Sequence, residues 1–188
     1  MSTTTQNRLR STYAGIELNG EPHPLSAWFV VALRLFIGGM ILFAGLGKYS
    51  FVPGGESFDA WGYLAHRPET SPVSGLYAYM AESAMLIDVI NFIIPFTQVL
   101  IGLALIFGAV VRLAAFGGAL MMFSFYLGGW EGEWLALFDN TLIYTIVFLA
   151  VGAFAAGRIL GLDRYIENMN VGEQRLTERY PKLRYLLG

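Results

Sequence analysis

Arg34 stands inside an apolar stretch that is long enough to cross a membrane. The stretch RLFIGGMILFAGLGKY begins at Arg34, and Lys48 lies next to its end. A charged side chain within a membrane span is costly and usually faces a helix interior, a partner or a water-filled cavity. Two roles are open for Arg34. It either pairs structurally with Asp163 or a lipid phosphate, which we favour, or it binds an anionic or quinone-like ligand.

Few other polar residues lie within the apolar stretches. Gln98 and Tyr144 are among them, and both are expected nearer the opposite leaflet from Arg34. The nearest carboxylates on the Arg34 side are Asp163 and Glu167, just beyond the last apolar stretch. A snorkelling Arg34 side chain that reaches toward Asp163 is therefore the expected arrangement.

The pair Asp139-Asn140 opens the last apolar stretch and also admits two interpretations. One of the two residues caps the following helix, because aspartate and asparagine accept hydrogen bonds from first-turn amides. Alternatively the pair lines an outward-facing pocket with Glu131, Glu133 and Lys48. The capping role is favoured.

Composition places these residues in a membrane protein. Of 188 residues, 55% are hydrophobic and 14% are charged, whereas soluble domains carry about 25% charged residues. The net charge of −2 gives no case for nucleic acid. The chain has no cysteine, and His23 and His66 lie outside the apolar stretches. We therefore expect no metal, no haem and no iron–sulfur cluster.

Four apolar stretches come close to the roughly 20 residues that a transmembrane helix needs. They predict an all-α fold, an integral membrane four-helix bundle in a single domain. Residues 1–24 would form a cytoplasmic segment that lacks the apolar core of a signal peptide, and 158–188 a basic cytoplasmic tail. The predicted bundle covers 25–157, with spans at about 25–47, 91–111, 113–129 and 137–157.

Lysine and arginine placement predicts the orientation of this bundle. Nine of these residues lie on the side of both termini and of Arg112, against Lys48 and Arg67 on the other side. We therefore expect a multi-pass cell-membrane protein with both termini in the cytoplasm. The basic tail would rest on membrane lipids, or else dock a soluble partner.

The outer segment 50–90 is the largest part predicted outside the bilayer. Phe58, Trp61 and Leu64 have helical spacing, and a second, amphipathic helix is predicted from Ser74 as its N-cap. Two short helices resting on the bundle as a lid are expected, with a covering loop that holds no site as the alternative.

Several motif residues resemble one family of membrane proteins. They are Arg34, Ala44-Gly45-Leu46-Gly47-Lys48, Gln98 with Gly102, and GRILGLD at 157–163. Together these resemble the DoxX/DoxD family, small four-helix membrane proteins of bacteria and archaea, over residues 28–165. The family often has glutamate where this chain has Gln98, and a proline before the Gly-Arg of its fourth span.

The resemblance implies a function, because the family includes the membrane subunit of thiosulfate:quinone oxidoreductase. The chain would be the integral membrane subunit of a quinone-linked oxidoreductase, with thiosulfate or a similar sulfur anion as electron donor. Its cofactor would be a diffusible quinone, and its partner a second redox subunit or a larger membrane complex. Arg34, Lys48 and Gln98 would form the polar lining, Trp61 and Tyr144 would flank the quinone ring, and Asn140 is a further candidate.

A non-catalytic accessory or scaffold subunit is the alternative, in which Asp139, Arg158 and Asp163 are structural. A small-solute carrier is less favoured, because broken helices are not evident, although Pro95 leaves some room. An apolar slot open to the bilayer, with a hydrogen-bond donor at its end, would indicate the quinone function. Arg34 paired with Asp163 or lipid, and no such cavity, would indicate the scaffold.

Overall fold

The computed structural model describes residues 9–13, 16–171 and 174–188. The protein is mainly helical. Its α-helices are α1 Ser26–Leu46, α2 Ala60–Ala65, α3 Ser74–Ala81, α4 Ala84–Phe107, α5 Val111–Gly128, α6 Asn140–Ala153, α7 Asp163–Asn168 and α8 Leu176–Arg179. Short 3-10 helices cover Trp134–Phe138, Ala156–Arg158 and Pro181–Tyr185.

Three of these helices, α1, α4 and α5, are long and apolar enough to cross a membrane. Their outward faces carry exposed large apolar side chains, such as Phe36, Phe43 and Phe116. Exposed apolar surface of this extent is unusual on a soluble monomer. The fold is therefore compatible with a membrane protein.

Helix ends differ from the predicted ones where backbone chemistry intervenes. The helix predicted from Ser74 is divided at Glu82-Ser83, because the Ser83 hydroxyl accepts from the amide of Leu86 at 3.4 Å and caps α4. The predicted N-cap is corrected too: Ser74 is the first residue of α3 and lacks a capping bond. Helix α4 continues through Pro95 and ends at Phe107, and the following Gly108 has a φ of 68°, which suits glycine.

The last predicted span, 137–157, is a composite of three elements. The 3-10 helix Trp134–Phe138 precedes α6, and Ala155 with φ of 50° separates α6 from the 3-10 helix Ala156–Arg158. Helix α6 alone has 14 residues. The first break agrees with the predicted cap at Asp139-Asn140, whereas the second could not be predicted, because Ala155 lies among small and apolar residues.

Small residues allow the long helices to approach closely. A Cβ atom added to Gly102 of α4 would lie 2.5 Å from the Cβ of Leu42 in α1. In the same interface, Gly38 meets Leu105, and between α5 and α6 Gly118 meets the ring of Phe148. These contacts place the core between α1, α4, α5 and α6, where small residues let the helices approach closely.

Two short hairpins add strands that the sequence did not predict. Strands β1 Leu9–Tyr13 and β2 Ile16–Gly20 pair antiparallel ahead of α1. Strands β3 Asn170–Val171 and β4 Gln174–Arg175 pair between α7 and α8. The all-α expectation therefore describes the helical core but leaves out these two ribbons.

The segment with α2 and α3 is fastened to the long helices by side chains. Asn91 of α4 accepts from the amide of Ala60 at 2.7 Å. Ser71 and Tyr77 donate to the carbonyl oxygens of Leu127 and Ser124 in α5, at 2.8 and 3.0 Å. These bonds hold the segment over the end of α5 that lies farthest from Arg34.

Candidate functional site

Arg34 is buried, with 1% of its surface exposed, and three backbone carbonyl groups bind its guanidinium. Nη1 donates to the oxygens of Ala156 and Ile159 at 2.5 and 3.0 Å, and Nη2 donates to that of Leu160 at 3.1 Å. These carbonyls belong to the turn between α6 and α7. The Arg34 side chain thus closes this turn with three of its five N–H donors, while its buried Nε has no hydrogen-bond partner among the described residues.

Two glycines make room for the guanidinium. A Cβ on Gly108, or on Gly161, would lie 2.8 Å from Nη1 of Arg34. Gly108 also has a positive φ that disfavours other residues. Gly108 and Gly161 therefore provide the space that the Arg34 guanidinium occupies.

Asp163 is fully buried and binds three amide groups beside this turn. Its carboxylate accepts from Val110 at 2.6 Å, from Val111 at 2.9 Å and from Gly188 at 3.0 Å. The first two amides lie at the start of α5, where a helix favours negative charge. Asp163 therefore joins α5, α7 and the segment that ends at Gly188.

The expected direct pairing of Arg34 with Asp163 is replaced by an indirect one. Arg34 binds carbonyl oxygens and Asp163 binds amides, and their opposite charges attract each other without a hydrogen bond between them. We call the end of the long helices that holds both residues the Arg34 end, and the opposite end the Lys48 end.

The predicted polar lining of Arg34, Lys48 and Gln98 does not come together. Arg34 and Lys48 are 14 positions apart on and just beyond α1, which is about 21 Å at the helical rise. Lys48 instead donates to the carbonyl of Ala44 at 3.0 Å, and burial lowers the pKa of its ammonium group. Gln98 packs against Gly45, with 2% of its surface exposed.

The remaining quinone-binding candidates lie on α2 and α6. Trp61 is half exposed and meets the edge of the His66 ring, with 5.6 Å between ring centres. Tyr144 is partly buried against the core between the long helices. Asn140 is exposed at the first position of α6. None of the three lines the cavity beside Asp139 or the groove between α5 and α6 that are described below.

Asp139 has both of the roles that its position allowed. It caps α6 by accepting from the amide of Thr141 at 2.7 Å, and it also accepts from the Thr141 hydroxyl. It also lines a cavity of about 300 Å³ at the Lys48 end together with Trp130, Glu131 and Glu133. Asn140 and Lys48, which the pocket alternative included, are not among the lining residues.

A groove that the sequence did not predict lies between α5 and α6, near the Arg34 end. It has a volume of about 380 Å³ and is mainly apolar, with Arg112 at one end. Its walls are formed by side chains of both helices, including Ala115, Phe116, Leu149, Gly152 and Ala153.

Small residues let α5 and α6 approach closely beside this groove, and within the part of the chain that the structure describes the guanidinium of Arg112 is only partly used. Gly152 faces Ala115, where an added Cβ would lie 3.2 Å from the Ala115 Cβ. Arg112 donates from Nη1 to the carbonyl of Arg184 at 2.9 Å. An arginine has five N–H donors, so further donors remain for a group bound in the groove. The small residues at 115, 152 and 153 were the one indication of this groove in the sequence, but they predict close helix packing equally well.

Arg158, predicted as structural, forms an ion pair with Glu167. Its Nε donates at 2.9 and 3.0 Å and its Nη2 at 2.7 Å to the two carboxylate oxygens. Among the residues that the structure describes, no group of three or more histidine, aspartate or glutamate side chains is placed to hold a metal ion.

A search of family models found no match for this chain, and a search of the solved structures found none either. The resemblance to the DoxX/DoxD family therefore remains a prediction that rests on the motif residues.

Proposed function

We propose that this chain is a multi-pass membrane protein of the DoxX/DoxD type, a four-helix bundle with both termini in the cytoplasm. The lengths of α1, α4 and α5 support three of the spans. The fourth span would combine α6 with the 3-10 helices on either side of it, which together extend from Trp134 to Arg158. Helices α2 and α3 would form the outer lid, since side-chain bonds fasten their segment over the Lys48 end.

The proposed activity is that of the membrane subunit of a quinone-linked oxidoreductase, and the groove between α5 and α6 is the observation that carries it. An apolar slot with a few placed polar groups is what a lipid-soluble cofactor requires. Phe116, Leu149 and Ala153 would contact the ring and chain, and Arg112 would donate to a quinone oxygen. A bound quinone would supply a two-electron acceptor, with thiosulfate or a similar sulfur anion as the donor, oxidised on a partner subunit.

This proposal moves the site away from the residues that the sequence favoured. Arg34 would be structural, because three carbonyl groups already bind it. Arg112, which interrupts the apolar sequence between α4 and α5, takes over as the hydrogen-bond donor. It reaches the groove from the first turn of α5.

The test is the quinone content of the protein purified in mild detergent from its own membrane. Wild type is compared with Ala153→Trp, which fills the groove, and with Leu120→Trp, which adds the same side chain to an exposed position on α5. We expect near-stoichiometric quinone in wild type and in Leu120→Trp, with at least a tenfold loss in Ala153→Trp. Equal quinone in all three proteins would refute the site.

A non-catalytic accessory subunit is the second candidate, and the Arg34–Asp163 arrangement favours it. Arg34 and Asp163 are the buried charged residues of the motif, and backbone groups bind both of them. A structural role requires such an arrangement. This candidate predicts a stable complex with a larger membrane assembly and no quinone in any of the three proteins. Quinone reduction by thiosulfate in the isolated complex, lost in Ala153→Trp, would exclude it.

A further inference from the structure

Three arginines from separate segments converge on one cavity outside the long helices, at the Arg34 end. Arg158 follows α6, Arg175 ends β4, and Arg184 lies in the 3-10 helix Pro181–Tyr185. The cavity has a volume of about 300 Å³, and Glu167, Asn168 and Thr177 complete its lining. It is separate from the α5–α6 groove, whose lining it does not share.

Arginines outnumber acidic residues in the lining of this cavity. Glu167 is its one acidic lining residue, and both of its carboxylate oxygens are taken by Arg158. Arg175 and Arg184 are exposed, and among the described residues neither guanidinium forms an ion pair. Among the lining residues three positive charges stand against one negative charge, and Glu178, whose carboxylate accepts from the backbone amide of Arg175 at 3.2 Å, lies close by but is not one of them. Like charges held around one cavity repel each other, so an anion bound among them would be attracted strongly.

The neutral lining residues add hydrogen-bonding groups. Thr177 is buried, and its hydroxyl donates to the carbonyl of Glu167 at 3.4 Å. This hydrogen bond is long, so the hydroxyl can donate to another acceptor in its place. Asn168 donates to the carbonyl of Arg164 at 2.7 Å, which orients its amide. The backbone carbonyl of Arg184 accepts a hydrogen bond from Arg112, and this bond holds the 3-10 helix against α5.

We propose that this cavity binds the phosphate group of an anionic ligand, with Arg175 and Arg184 as its main partners. Guanidinium groups bind phosphate oxygens in pairs, in a planar geometry that lysine lacks. The Thr177 hydroxyl supplies a further donor. The proposal goes beyond the quinone function and does not depend on it. The same phosphate chemistry is offered by a phospholipid headgroup and by a soluble phosphate ester.

The experiment measures binding to the full-length protein, delipidated in a neutral detergent, by isothermal titration calorimetry. The probes are short-chain phosphatidylglycerol, glycerol 3-phosphate and short-chain phosphatidylcholine, whose net charge is zero. The test variant is Arg175→Gln/Arg184→Gln, and Arg175→Gln alone is a milder second variant. The matched control is Lys182→Gln, which removes one exposed charge from the same 3-10 helix without touching the cavity lining.

We expect an anionic probe to bind at least tenfold more weakly to the double variant, and Lys182→Gln to stay within twofold of wild type. Binding of phosphatidylglycerol alone identifies a headgroup site, and binding of glycerol 3-phosphate as well identifies a site for soluble phosphate esters. Equal losses in the double variant and in Lys182→Gln would show diffuse surface attraction and overturn the proposal. Failure of both anionic probes to bind wild type would also overturn it.

Discussion

Arg34 and Asp163 fasten the chain between α6 and α7 to the long helices with opposite chemistry. Arg34 donates to three carbonyl oxygens in this turn, whereas Asp163, which follows the turn, accepts from three amides of α5 and of the segment ending at Gly188. Neither residue needs the other as a hydrogen-bond partner. The two nevertheless stabilise the same end of the molecule, where the end of α4, the start of α5 and the end of α6 meet.

Removal of the Arg34 guanidinium should destabilise the protein strongly. Arg34→Met keeps the apolar stem but leaves three carbonyl groups, one in a buried and two in partly buried bonds, without their donor. We expect a loss of about 3–5 kcal/mol in the free energy of unfolding, measured by titration with a denaturing detergent. The control Arg164→Met changes an exposed arginine of α7 and should stay within about 0.5 kcal/mol of wild type. Similar values for both variants would contradict the structural role of Arg34.

Neutralisation of Asp163 should release the segment that ends at Gly188. Asp163→Asn replaces one acceptor oxygen by an NH₂ group, which then faces an amide donor. We expect a loss of about 1–3 kcal/mol and faster hydrogen exchange at Val110, Val111 and Gly188. Asp139→Asn is the matched control, because asparagine caps a helix as well as aspartate does. Unchanged exchange at Gly188 in Asp163→Asn would refute the linkage.

The interface between α1 and α4 should tolerate no side chain at Gly102. Its added Cβ would lie within 2.5–2.7 Å of Leu42 backbone and side-chain atoms, so the helices would have to separate. Gly102→Ala is expected to lose about 1–3 kcal/mol. At Gly117 the nearest atom is 3.6 Å away. Gly117→Ala should therefore be neutral or slightly stabilising because of its helix propensity. Thermal unfolding of the two variants side by side would measure the difference.

Tyr63 should be among the last tyrosines to lose its proton. Burial, followed by the nearby Tyr77, raises the pKa of Tyr63 to about 12, from an ordinary value of 10. Because the folded-state pKa is raised, the neutral phenol stabilises the fold below pH 10, and this contribution is lost as the pH rises toward 12. The tyrosinate absorbance of wild type should therefore contain a late component that Tyr63→Phe removes. Tyr185→Phe, at an exposed position, should leave that component intact.

The sequence predicted those features that follow from the types of residues within a single helix. The apolar stretches became α1, α4 and α5, and the isolated charge of Arg34 indicated a buried structural contact. The partners of Arg34 and Asp163 could not be predicted, because they are backbone groups that every residue has. The α5–α6 groove was missed for a related reason. Alanine and glycine at 115, 152 and 153 fit both a closed helix contact and an open groove, and only the packing of Phe116 and Leu149 decides between them.

The most direct measurement is photolabelling of the purified protein with a photoreactive quinone that bears a short isoprenoid chain, followed by mass spectrometry of the labelled peptides. The quinone proposal predicts label on α5 and α6 at the groove residues Phe116, Leu149 and Ala153. It also predicts that excess unlabelled quinone prevents this labelling, and that Arg112→Met reduces it at least fivefold. Label spread over the exposed apolar faces of α1 and α4, without competition by quinone, would contradict it.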